Sequence, residues 1–94
     1  EVKERKLRFT GPHDFPYPTM IVDVLHKDPA DVYIFTSPDM HAMVLGGEGY
    51  ENWETKQLWD RGKRRYRNFV LAPVAEAVGW DEGVARFFPV SVNS

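Results

Sequence analysis

Hydrophobic positions along the chain follow two rhythms, an alternating one up to about residue 46 and a longer one after it. Residues 2–10, VKERKLRFT, set Leu7 and Phe9 against Lys6, Arg8 and Thr10, the period-2 pattern of a strand wet on one side. In GPHDFPYP, the residues Pro12, Pro16 and Pro18 remove backbone donors and hold their predecessors extended, which predicts an ordered loop. Residues 19–26, TMIVDVLH, and 31–37, DVYIFTS, are rich in β-branched and aromatic side chains and read as strands. Lys27-Asp28-Pro29-Ala30 between them suits a type I turn with Pro29 in second place, so the two strands are predicted to pair as a hairpin. Ser37-Pro38-Asp39-Met40 repeats that turn chemistry before HAMVLG, and Gly46, Gly47 and Gly49 close the run. A four-stranded antiparallel meander is the expected result.

From about Glu51 the residues Thr55, Leu58, Trp59, Gly62, Tyr66, Phe69 and Val70 recur at spacings of three and four, which predicts the main helix over about 51–71. Gly62 is a local cost on that stripe. Pro73 breaks the pattern, PVAEAV reads as a short second helix closed by Gly79, and Trp80-Asp81-Glu82-Gly83 turns the chain into VARFFPVSV, a last strand with Pro89 at an edge or bulge. The expected fold is a single α+β domain over residues 1–94. Its antiparallel sheet of four to five strands is covered on one face by the main helix, with a short second helix after Pro73.

Composition agrees with a packed domain. The 94 residues are 43% hydrophobic and include 3 Trp, 4 Tyr and 6 Phe, too apolar a mixture for a disordered chain. Absence of Cys excludes disulfides and a thiolate nucleophile, leaves His and carboxylates as metal ligands, and suits an intracellular setting. No apolar run approaches the roughly 20 residues that span a bilayer. A chain that begins at Glu1 reads as an excised domain or a processed product.

Charge changes the picture more. The formal net charge is -2, yet residues 1–8 carry +2, residues 9–55 carry -7, residues 56–67 carry +5 and residues 68–94 carry -2. Six of the cations, Lys56, Arg61, Lys63, Arg64, Arg65 and Arg67, crowd into twelve positions around Asp60. On a helix, Lys56, Asp60, Lys63, Arg64 and Arg67 share one arc opposite the apolar stripe. Asp60 would then pair with Lys56 and Arg64 at spacings of four, leaving Lys63 and Arg67 uncompensated. Trp53 falls near the same arc, and an aromatic ring beside guanidinium groups stacks bases while the cations meet phosphates.

Catalytic patterns are sparse. His13, His26 and His41, with Asp14, Asp23 and Asp39 nearby, lack metal-ligand spacing, and Ser37, Ser91 and Ser94 lie in no nucleophile motif. Gly46-Gly47-Glu48-Gly49 lacks the lysine ending of a phosphate loop and reads as a flexible strand-to-helix connection. Pro38-Asp39 followed by Glu54-Thr55-Lys56 resembles the PD-(D/E)xK nuclease signature over residues 38–56. That resemblance implies a divalent cation held by Asp39 and Glu54, with Lys56 assisting the attacking water. In that family the ExK triplet sits on an apolar central strand, whereas here its place is the opening of a polar-faced helix.

The function expected from these residues is a non-catalytic module without cofactor that grips a polyanion, RNA or DNA with little sequence specificity. Lys56, Lys63, Arg64, Arg65 and Arg67 would form the grip, with Arg8 and Trp53 beside them. The competing reading is a protein-interaction module, or a small subunit or inhibitor in a larger assembly, whose arginines meet an acidic partner surface, and the acidic 9–55 stretch also permits self-association. The metal-dependent nuclease ranks third.

Overall fold

In the computed structural model, which describes residues 1–25 and 27–89, the chain is an α+β fold of two sheets and one helix. The strands are β1 (Val2–Glu4), β2 (Thr19–Val24), β3 (Val32–Thr36), β4 (Ala42–Gly46), β5 (Glu54–Asp60), β6 (Arg65–Pro73) and β7 (Val78–Gly79), and the helix is α1 (Trp80–Phe87). Short 3-10 segments stand at Pro12–Asp14, Gly47–Asn52 and Val74–Glu76. One sheet has the order β1-β3-β4-β7, with β1 parallel to β3 and the other pairs antiparallel. The other, β2-β6-β5, is antiparallel throughout.

The segments 19–26, 31–37 and 41–46 form strands as predicted, as β2, β3 and β4. Tyr33 and Phe35 of β3 point inward while Val32, Ile34 and Thr36 are half-buried. They meet Met43 and Leu45 of β4, Met20 and Val22 of β2, and Val70 and Ala72 of β6 in one core between the sheets. The Ser37–Met40 turn forms as expected: the Met40 amide donates to the Ser37 carbonyl at 3.1 Å, and the Ser37 Oγ accepts the His41 amide at 3.2 Å. The pairing of β2 differs from expectation. Instead of folding back on β3 through residues 27–30, β2 crosses to the other sheet and pairs with β6, Thr19 opposite Pro73 and Val24 opposite Phe69.

Residues 51–71 are not a helix. They end the Gly47–Asn52 turn and then form the β5–β6 hairpin, with Trp59 opposite Tyr66 and Asp60 opposite Arg65. Two local facts decide this. The Asp60 carboxylate accepts the amides of Gly62 at 3.0 Å and Lys63 at 3.2 Å, closing an Asx-type turn where a helix would have to continue through glycine. Val70, Leu71 and Ala72 are all buried because β6 is the central strand of its sheet and covered at that end on both faces, which erases the period-2 signal.

The helix that does cover a sheet is α1, where a last strand was expected. Asp81 and Glu82 in its first turn and Arg86 in its last suit the helix dipole, and Glu82 reaches Arg86 at 3.3 Å one turn on. Gly83 lets it lie flat on the sheet: a Cβ there would stand 2.4 Å from the Cβ of Val44 on β4. The rest of the expected strand, residues 90–92, lies outside the described residues. The short turn after Pro73 is present as Val74–Glu76.

The predicted first strand shortens to Val2–Glu4, and the residues after it serve as packing. Phe9 is buried with its ring 5.6 Å from that of Phe15, which in turn meets Tyr17 at 6.3 Å, so the proline-rich loop folds across its own domain. Asp14 locks this loop. Its carboxylate accepts the Thr10 hydroxyl at 2.8 Å and the amides of Thr10 and Gly11 at 2.9 and 3.1 Å, and these bonds, the hydroxyl first, hold its acid down to about 2. A folded value below the unfolded one means the contribution is complete above about pH 4 and is lost as pH falls towards 2. An NMR titration should therefore place the Asp14 midpoint near 2, with the Thr10 and Gly11 amides moving along with it.

The glycine-rich stretch is an ordered corner rather than a flexible connection. The Gly47 amide donates to the Asp31 carbonyl at 2.8 Å, and a Cβ on Gly47 would lie 2.0 Å from the Ala30 carbonyl oxygen. Only glycine allows that approach.

Candidate functional site

The +5 segment folds into the outer half of the β5–β6 hairpin. The ladder between β2 and β6 ends where the Leu25 amide donates to the Asn68 carbonyl at 2.8 Å. Beyond it, three residue pairs, Leu58 with Arg67, Trp59 with Tyr66 and Asp60 with Arg65, continue as a two-stranded ribbon closed by residues 61–64. At about 3.3 Å per residue the paired part alone extends roughly 10 Å past the third strand. Arg64 completes the loop with φ 53°, a left-handed conformation that a non-glycine residue adopts at some cost.

Asp60 organises the tip. Besides its two turn bonds, it accepts the Arg67 guanidinium at 2.9 Å, and that cation chiefly holds its carboxyl below the usual range. Arg67 is therefore compensated, contrary to the helical expectation, and Asp60 serves neither Lys56 nor Arg64. Among the described residues, Arg61, Lys63, Arg64 and Arg65 enter no ion pair, and all four are exposed. These four cations form the tip, and Arg61 joins the expected set as a member that the helical arc left out.

The other expected residues are dispersed. Lys56 is exposed on β5, five or more positions back from the tip cations. Arg8 is exposed on the segment after β1. Trp53 is 7% exposed and packs against Tyr33 and Tyr50 at ring distances of 6.2 and 5.7 Å, so it is a core residue and offers no stacking face. On the hairpin, the exposed aromatics are Trp59 and Tyr66, 53% and 64% exposed. A strand reading of 54–60 would have revealed them, since alternation puts Trp59 opposite the side carrying Lys56 and Leu58.

Half of the first basic block is spent on structure. Lys3 and Lys27 share Asp23 at 3.0 Å each, and desolvation of that carboxylate is outweighed by these bonds, which lower its pKa. Arg5 donates to the Ile21 carbonyl and lies 5.1 Å over the Phe35 ring. The two basic blocks meet where Arg5 and Lys56 flank a groove of about 600 Å³ lined by Leu7, Tyr17, Ile21 and Leu58.

Asp39 lies in the exposed β3–β4 turn, while Glu54 and Lys56 lie on β5 of the other sheet. The ExK triplet is thus on a strand after all, but an edge strand with all three residues exposed. His13 and His41 are exposed, His26 is outside the described residues, and no three His, Asp or Glu side chains among the described residues are grouped to hold a metal ion. No described helix is long and apolar enough to cross a membrane. No family model, curated protein or solved structure matches the chain.

Proposed function

We propose that the chain is a non-catalytic nucleic-acid-binding module that grips the phosphate backbone with the tip of the β5–β6 hairpin. The observation that carries this reading is the concentration of Arg61, Lys63, Arg64 and Arg65 on a narrow projecting ribbon, exposed and in no ion pair among the described residues. Guanidinium forks match phosphate oxygens in pairs, and a two-stranded ribbon is narrow enough to follow a strand or enter a major groove. The acidic 9–55 stretch supports an oriented approach, since a polyanion is attracted at the tip and repelled by the body.

Titration of labelled nucleic acid at several salt concentrations tests the reading. Four phosphate contacts give log K a slope of about -3 to -4 against log salt, slightly shallower for single strands than for duplex. Absence of binding at low salt would sink the proposal, and tight binding to an acidic protein surface instead would transfer these arginines to the competing reading.

A further inference from the structure

We propose that the hairpin selects single-stranded over double-stranded nucleic acid, because its Trp59–Tyr66 side is a base-stacking platform set beside the phosphate-gripping tip; this rests on the nucleic-acid reading above. Cross-strand register divides the ribbon into two sides. Asp60 with Arg65 and Leu58 with Arg67 share one, while Trp59 with Tyr66 and Gln57 with Asn68 share the other. On β6 the second side is the one that carries Val70 and Ala72 into the core, so past the end of the core it emerges into solvent.

The two rings meet edge to face, with centroids 5.1 Å apart and planes at 73°. In such a pair one ring turns its edge to its neighbour and keeps its faces open. Gln57 and Asn68, both exposed, stand two residues inward on the same side and offer amide donors and acceptors to base edges. The arrangement supplies what unpaired nucleotides need: a π surface for the base, amides for its edge, and cations within a few residues for the phosphates on either side. Bases in an intact duplex are stacked on one another and cannot reach the rings. Duplex binding would therefore use the tip cations alone.

The experiment compares a labelled single-stranded oligothymidylate, its RNA counterpart and a duplex of equal length. The proteins are the wild type and a Trp59→Val, Tyr66→Val double variant, whose β-branched residues keep strand propensity while removing both rings. The wild type is expected to bind single strands more tightly than duplex. The double variant is expected to lose roughly 5- to 150-fold per stacked base on single strands, with unchanged salt slope and unchanged duplex affinity. As a readout independent of any substitution, the Trp59 indole and Tyr66 ring NMR signals of the wild type should shift on adding the single strand. Equal affinity for duplex, undiminished single-strand binding by a folded double variant, or unmoved ring signals in a bound wild type would each overturn the selectivity and leave the polyanion reading standing. Failure of the wild type to bind any of the three at low salt removes both.

Discussion

Replacing the four tip cations together, Arg61→Ala, Lys63→Ala, Arg64→Gly and Arg65→Thr, is expected to leave nucleic-acid binding weak and almost independent of salt. Each phosphate contact contributes about 0.7 to the salt slope on single strands, so the wild type with four contacts should lose roughly 50-fold in affinity between about 50 and 200 mM salt. Removing the contacts flattens that dependence towards zero. The substitutions are chosen so that folding survives. Glycine relieves the positive φ at Arg64, threonine suits the first position of β6, and Asp60 and Arg67 stay in place to close the turn. Anisotropy titrations measure the slope, and the Gly62 and residue 63 amide signals report whether the turn persists. A variant that keeps the wild-type slope would show that the contacting cations lie elsewhere on the surface.

Phe35→Ala is expected to destabilise the domain by about 3–5 kcal/mol, the range for truncating a buried aromatic ring. A domain of this size has about 5–14 kcal/mol in all, so the variant should unfold at a much lower urea concentration. Phe35 is fully buried on β3, stacks with Tyr33 at 6.4 Å and underlies the Arg5 guanidinium, so its loss opens a void between the sheets and removes the ring beneath a cation. Urea melts followed by far-UV circular dichroism measure the change. A loss of less than about 1 kcal/mol would mean that the two sheets do not share this core.

Local chemistry made β2, β3 and β4 legible in the sequence to within a residue or two, together with the Ser37–Met40 turn and the break after Pro73. Strand partnership was not legible. Residues 27–30 resemble a hairpin turn, and nothing local indicates that β2 instead pairs with a strand some fifty residues on. The 51–71 segment misled for a definite reason: Leu58, Tyr66, Phe69 and Val70 match a helical stripe by spacing, while the deciding residues are Asp60 and Gly62, which turn the chain. In 80–87 the reverse held, since Asp81, Glu82 and Arg86 carry a helix charge pattern that the aromatic and β-branched run obscured.

The position of the basic cluster was legible and its geometry was not. A helix would spread these cations along one arc. The hairpin cancels Arg67 against Asp60, gathers residues 61–65 at one end and leaves Lys56 near the root. Trp53 and Trp59 exchange the roles the helical reading gave them, because Trp53 ends a turn against Tyr33 whereas Trp59 stands on a ribbon with no third strand beside it.

The unbroken run of β6 from buried Ala72 to Arg65 has a thermodynamic consequence for any ligand of the tip. The arm is the continuation of a buried central strand, paired on both sides at its root, so its shape is set before an encounter. Association therefore has little chain entropy to surrender, unlike capture by a basic tail that must order as it binds. The expected calorimetric signature is a small heat-capacity change and an on-rate limited by diffusion and ionic steering.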